Sequence, residues 1–113
     1  MDMNQLTLVI SKMVAAISRI SENVFGPNKL ILLEEPAKIN VQYTPGKNPS
    51  ILLSVETPIV NATIGIWFGV QTTDISVFSY KLEESLYEWH GVIENTDALL
   101  SYIEEAVDKI LSS

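Results

Sequence analysis

The sequence predicts an α+β domain in which an antiparallel β-meander of about five or six strands carries an N-terminal and a C-terminal helix on one face. Apolar residues recur at helical spacing near both ends of the chain and alternate with a period of two between them. Short turns rich in proline, glycine and asparagine separate the alternating segments, which favours antiparallel neighbours. The 113 residues fit a single α+β domain, 1–113.

The first helix is predicted over residues 4–24. Its apolar residues follow one another at spacings of four and three and share one stripe, which consists of Leu6, Ile10, Met13, Ile17, Ile20 and Val24. Asn4 suits the N-cap, and Gly26 and Pro27 end the helix. The same spacing suits a coiled-coil seam, so dimerisation through this helix is an alternative to packing on the sheet.

Alternating or apolar segments separated by turns follow the first helix. The predicted strands are 30–33, 39–43, 51–55, 63–70, 75–81 and 86–93. Residues 44–49 and 71–74 have the composition of turns. In the last strand, alternation places Tyr87 and Trp89 on one face and Glu88 and His90 on the other.

A second helix is predicted over residues 96–111. Its apolar face is defined by Leu100, Ile103, Val107 and Ile110. Asn95 or Thr96 caps its start, and Asp97 suits the positive end of the helix dipole. Because each helix has one apolar face and the sheet needs a cover, we expect a two-layer sandwich.

Charge is distributed unevenly along the chain. Residues 1–81 carry six acids and six bases, whereas residues 82–113 carry eight acids against Lys109 alone, which gives the net charge of −7. A surface of one sign steers partners of the opposite sign. This end of the chain therefore favours a basic protein partner, and we expect neither nucleic acid nor a membrane as a partner.

The composition excludes further classes of function. The chain has no cysteine, so disulfides, cysteine–zinc sites and thiol catalysis are excluded. No apolar run reaches the ~18 residues of a membrane span, and Asp2 and Lys12 do not fit a signal peptide. We therefore expect a cytoplasmic protein.

His90 is the single histidine of the chain and its one candidate general base. Glu88, on the same strand face, is the carboxylate that would orient it, but no nucleophile or oxyanion-hole motif accompanies them. The adjacent acids at 34–35 and 83–84 point to opposite faces if they lie in strands, and calcium-loop and phosphate-loop motifs are absent. We predict no catalytic residue, no metal and no cofactor.

Gly65 and Gly69 flank Trp67 in a predicted strand. If Ile64 and Ile66 face the core, Trp67 faces the other way and is an exposed aromatic anchor of the kind that dominates interfaces. A sheet that is buried on both sides, or closed into a barrel, packs Trp67 inside instead. Both alternatives stay open at the level of the sequence.

The sequence therefore predicts a small, non-enzymatic, acidic protein that binds a basic protein partner. Immunity or antitoxin-type proteins and secretion-type chaperones fit, because both combine negative charge with a few aromatic anchors. The acidic face of the last helix, which includes Glu104, Glu105 and Asp108, would assist. The predicted partner-binding residues are Glu83, Glu84, Glu88, Trp89, His90 and Trp67.

Two alternatives come from other classes. One is a small-molecule-binding or hydrolytic domain with a pocket between sheet and helices, formed by Tyr87, Trp89 and His90. The other is a homo-oligomeric structural subunit, such as a homodimer, joined through the first helix or an open sheet edge.

Overall fold

A computed structural model of the protein describes residues 3–25 and 38–112. Helix α1 (Met3–Phe25) precedes five strands and helix α2 (Thr96–Ser112) follows them; the strands are β1 (Lys38–Thr44), β2 (Ser50–Glu56), β3 (Val60–Trp67), β4 (Thr72–Ser79) and β5 (Glu84–Val92). All neighbours in the order β1-β2-β3-β4-β5 pair antiparallel in one open sheet. The predicted α+β meander with a helix at each end is confirmed. The predicted strand 30–33, the helix stop at Gly26 and Pro27 and the acids at 34–35 lie outside the described residues.

The helices share one buried layer with one face of the sheet. The paired residues Leu53, Ile64 and Ile75 form a buried row across three strands. Helix α2 packs over β3, β4 and β5, and α1 packs chiefly against α2. Both helices contribute buried residues to the same core, among them Val9, Met13, Ala16 and Ile20 from α1 and Leu99, Ile103, Ala106, Val107 and Ile110 from α2.

The buried stripe of α1 is rotated relative to the predicted one. Val9 and Ala16 are buried, whereas Ile10 is exposed and Ile17 is half-buried. The apolar surface of α1 is wider than the surface that α2 and the sheet cover, so the part centred on Ile10 and Ile17 is only partly covered. The helix begins at Met3, one residue before the predicted cap at Asn4. At the other helix, Asn95 is the cap, since its Oδ1 accepts the Ala98 N–H at 2.8 Å.

The turn between β3 and β4 lies three residues earlier than the sequence predicts. It comprises residues 68–71, and Gln71 takes a left-handed φ of 54°. Gly69 sets this position, because a Cβ there would lie 2.7 Å from Asn48 Oδ1 and 2.9 Å from the Lys47 carbonyl oxygen. Asn48 Oδ1 also accepts the Val70 N–H at 3.1 Å. The two turns at this end of the sheet are therefore held together, and residues 72–74 pair within β4.

Two bases of α1 bind acids of α2. Arg19 donates to Glu104 Oε1 at 3.1 Å and to Asp108 Oδ1 at 3.3 Å, and Lys12 Nζ donates to Glu104 Oε2. The hydrogen bond from Lys12, and then that from Arg19, lowers the pKa of the Glu104 carboxyl from its ordinary value. We call this group of four side chains the helix clamp.

The lowered pKa of Glu104 makes the helix clamp dependent on pH. A carboxyl whose pKa is lower in the folded state stabilises the fold above its unfolded pKa, and this stabilisation disappears as the pH falls through the folded pKa. Glu104→Gln should therefore lower the Tm at neutral pH and leave it unchanged in acid below the folded pKa. Glu105→Gln, one residue along the same helix, is the control in thermal melts by circular dichroism. An equal loss of Tm at both pH values would contradict this role.

A buried hydroxyl links β3 to β4. Thr73 is fully buried, and its Oγ1 donates to the Gly65 carbonyl oxygen at 2.7 Å. Thr73→Val keeps the shape but loses this bond, so it should cost about 1–2 kcal/mol of unfolding free energy in urea titrations. Thr72→Val, next to it on the uncovered face, should stay within about 0.5 kcal/mol of the wild type. Equal effects of the two substitutions would show that the buried bond contributes nothing.

Candidate binding surface

Neither of the two described helices lies over the second face of the sheet. In β3, Ala62, Ile64 and Ile66 are buried under the helices, so Thr63, Gly65 and Trp67 alternate onto the other side. The register carries this alternation across the sheet and aligns one row of paired residues on the uncovered side, Gln42, Leu52, Gly65, Asp74 and His90. We call this side the open face.

Trp67 lies on the open face with its ring over Gly65. A Cβ built on Gly65 would lie 2.8 Å from Cη2 of Trp67 and 3.3 Å from Cδ1 of Leu52. The glycine therefore makes room for the indole, which explains why a glycine occupies the middle of this strand. In the next row, Trp67 pairs with Thr72, which pairs with the exposed Val92. Leu52 and Trp67 meet over Gly65, and Val92 lies in the same row as Trp67 with Thr72 between them; we call these three apolar residues of the open face the apolar patch.

Beside this apolar patch, His90 is paired with an acid that the sequence analysis did not select. His90 Nδ1 lies 3.0 Å from Asp74 Oδ1, and both side chains are more than half exposed. The sequence pattern does not indicate this contact, because it predicts a turn at 71–74 and so places Asp74 outside the strand that pairs with β5. The orienting carboxylate of His90 is thus Asp74 rather than Glu88. Asp74 pairs directly with Gly65, and His90 lies one strand further on, so the two residues lie about 5 Å and about 10 Å from the glycine beneath the indole.

Acidic side chains line β5 and its flanks. Glu83 lies in the β4–β5 turn with a left-handed φ of 55°, Glu84 and Glu88 lie in the strand, and Glu94 follows it. Within residues 3–25 and 38–112, these four acids have no basic nitrogen within 4.0 Å, whereas Glu104 and Asp108 belong to the helix clamp. The unneutralised charge is therefore concentrated on β5 more than on the last helix.

Trp89 occupies the opposite, helix-covered face. Its ring stacks on Tyr102 of α2 with centroids 4.3 Å apart and an interplanar angle of 24°. Tyr87 shares this face, and burial, followed by the charge of Glu105, raises the pKa of its phenol. The prediction that Tyr87 and Trp89 lie on one face and Glu88 and His90 on the other is confirmed.

The predicted binding residues are thus only partly brought together. Trp67, Glu88 and His90 share the open face, and Glu83 and Glu84 lie at the end of β5. Trp89 lies beneath α2, on the far side of the sheet from His90. For the same reason, Tyr87, Trp89 and His90 do not line one pocket between sheet and helices, as the small-molecule alternative requires.

Three further findings concern metal binding, membrane crossing and similarity to known proteins. In the part of the chain that the structure describes, no three His, Asp or Glu side chains are placed to hold a metal ion. Neither described helix combines the length and apolarity that a membrane crossing needs. The chain matches no known protein-family model, and no curated protein is significantly similar to it.

Truncation of the two tryptophans should lower the free energy of unfolding by different amounts. Trp89→Ala removes the stack on Tyr102 and leaves a gap under α2, so we expect a loss of about 2–4 kcal/mol in urea unfolding. Trp67→Ala removes a ring from the open face and should cost less than about 1 kcal/mol. The reverse order of these two losses would show that Trp67, and not Trp89, is part of the core.

Proposed function

We propose that the protein is a non-enzymatic binding protein that engages a basic protein partner through its open face and β5. The observation that carries the proposal is the position of the unneutralised acids. The helix clamp neutralises acids of α2, but Glu84 and Glu88 have no described basic side chain near them. They lie on the strand that also carries His90 and Val92 on the open face.

The open face has the composition of a protein interface. The apolar patch of Leu52, Trp67 and Val92 has acidic or polar neighbours, Asp74, Glu88 and His90. Interfaces commonly place a few aromatic anchors within a polar rim. Trp67 suits the anchor, because its ring is held over Gly65 and loses little freedom on binding.

The negative charge of β5 supports a partner with a basic surface. Uncompensated carboxylates speed the approach of a basic surface and slow that of an acidic one, and salt screens both effects. Immunity or antitoxin-type proteins and secretion-type chaperones are the classes that this surface suits, because each binds a protein through complementary charge. A partner of this kind is compatible with a cytoplasmic location, which we propose with it.

A charge reversal on β5 tests this proposal. The full chain, immobilised, should retain a basic protein from its own cells at about 50 mM salt and release most of it at about 300 mM. With that protein purified, Glu84→Lys combined with Glu88→Lys should slow association by about ten-fold or more. Glu22→Lys combined with Asp97→Lys makes the same change in net charge on the two helices and should have less than about a two-fold effect.

The outcomes separate the proposal from a merely solubilising charge. Equal association rates for the two double variants would show that the acids of β5 are not part of the contact. Trp67→Ala should increase the dissociation rate while leaving the Tm close to that of the wild type. A purified complex that tolerates this change would remove Trp67 from the interface.

A further inference from the structure

The two edges of the sheet differ in how they resist pairing with another strand. The β5 edge carries Glu84 and Glu88, its ladder to β4 shifts register between Val77 and Phe78, and Gly91 takes a φ of 154°. Charges, bulges and irregular backbone are the devices that protect open edges. The β1 edge has one charge, Lys38 at its first residue, whereas residues 39–44 contain no charged residue, proline or glycine and pair with β2 in one regular register.

The helix-side face of β1 is also incompletely covered. Helix α2 lies over β3 to β5 and α1 packs chiefly on α2, so Val41 is 46% and Tyr43 is 60% exposed. On α1, Ile10 is 42% and Val14 is 57% exposed. A cavity of about 310 Å³ lies between these two elements and is lined by Ile10, Tyr43, Pro49, Ile51 and Phe68. Among residues 3–25 and 38–112, no further strand pairs with β1, and exposed apolar side chains lie next to this edge.

We propose that a second copy of this chain pairs with the β1 edge, so that two β1 strands run antiparallel across a two-fold axis at Val41. Val41 then lies opposite Val41 of the second copy, and Ile39 lies opposite Tyr43. This register uses all seven residues of β1 and keeps apolar side chains on the helix side and Asn40 and Gln42 on the open side. The result is one ten-stranded sheet, with both copies of α1 on the same side.

Charge opposes a second copy less at this edge than at β5, because the proposed register places Lys38 opposite Thr44 and brings no acids together. Residues 38–48 contain two lysines and no acid, in a chain whose net charge is −7. The acids of β5 lie four strand spacings away, about 19 Å, so two copies that meet at β1 keep them apart. A two-fold contact also closes on itself and leaves no further open β1 edge. The open face and β5 stay free for the proposed partner, so the two inferences are independent.

Mass and cross-linking measurements on the full chain test the proposal. At about 100 μM, light scattering should give twice the chain mass of 12.6 kDa. Directly opposed residues of antiparallel strands have Cα atoms about 4.5–5.5 Å apart, within the range that a disulfide spans. Because the chain has no cysteine, Val41→Cys should give a cross-linked dimer on mild oxidation. Val70→Cys, in the β3–β4 turn and comparably exposed, is the control and should not.

A charged variant tests the same axis without oxidation. Val41→Lys places two lysines opposite each other and should raise the dimer Kd by about ten-fold or more, while Val70→Lys leaves it unchanged. A mass of one chain, or equal cross-linking of the two cysteine variants, would overturn the proposal and assign the β1 edge to another segment or another protein. Species that grow beyond the dimer would overturn the two-fold register in favour of head-to-tail pairing of β1 with β5.

Discussion

The helix clamp is the interaction on which the rest of the surface depends. It joins residues that are 85 to 92 positions apart and, together with the buried side chains that the two helices share, holds α1 against α2 rather than across the full width of the sheet. Two consequences follow from this placement. Lys12 and Arg19 of α1 form ion pairs with acids of α2, so they do not neutralise the acids of β5. Helix α1 covers only part of the sheet, so Val41 and Tyr43 of β1 remain exposed.

The two edges of the sheet differ in the kind of contact that they favour. At β5, acids, a register shift and a glycine with positive φ make strand addition unfavourable, and the charge acts at longer range. At β1, a regular backbone and the exposed Val41 and Tyr43 favour close contact. A basic partner and a second copy therefore suit different edges, and neither contact obstructs the other.

Periodicity predicts the helices, the meander and the opposite faces of Trp89 and His90, because each of these follows from the spacing of apolar residues alone. It places the β3–β4 turn three residues too late, since the threonines and the aspartate at 72–74 have the composition of a turn. The real turn is set by the contact of Gly69 with Asn48, and no local pattern encodes a contact between distant turns. The Asp74–His90 pair was missed for this reason. Alternation also cannot tell which face is covered, so the open position of Trp67 and the covered position of Trp89 required the three-dimensional structure.

The order of the elements along the chain has a consequence for synthesis. Helix α1 leaves the ribosome before the described strands, whereas α2, against which α1 chiefly packs, leaves after these five strands. Until then, Val9, Met13, Ala16 and Ile20 have no complete core to enter. The meander pairs neighbouring strands and can therefore assemble progressively. Its apolar face, however, stays exposed to water while the chain is being synthesised. This domain is thus most exposed to misassociation just before α2 emerges, and its folding becomes complete only when α2 closes on α1.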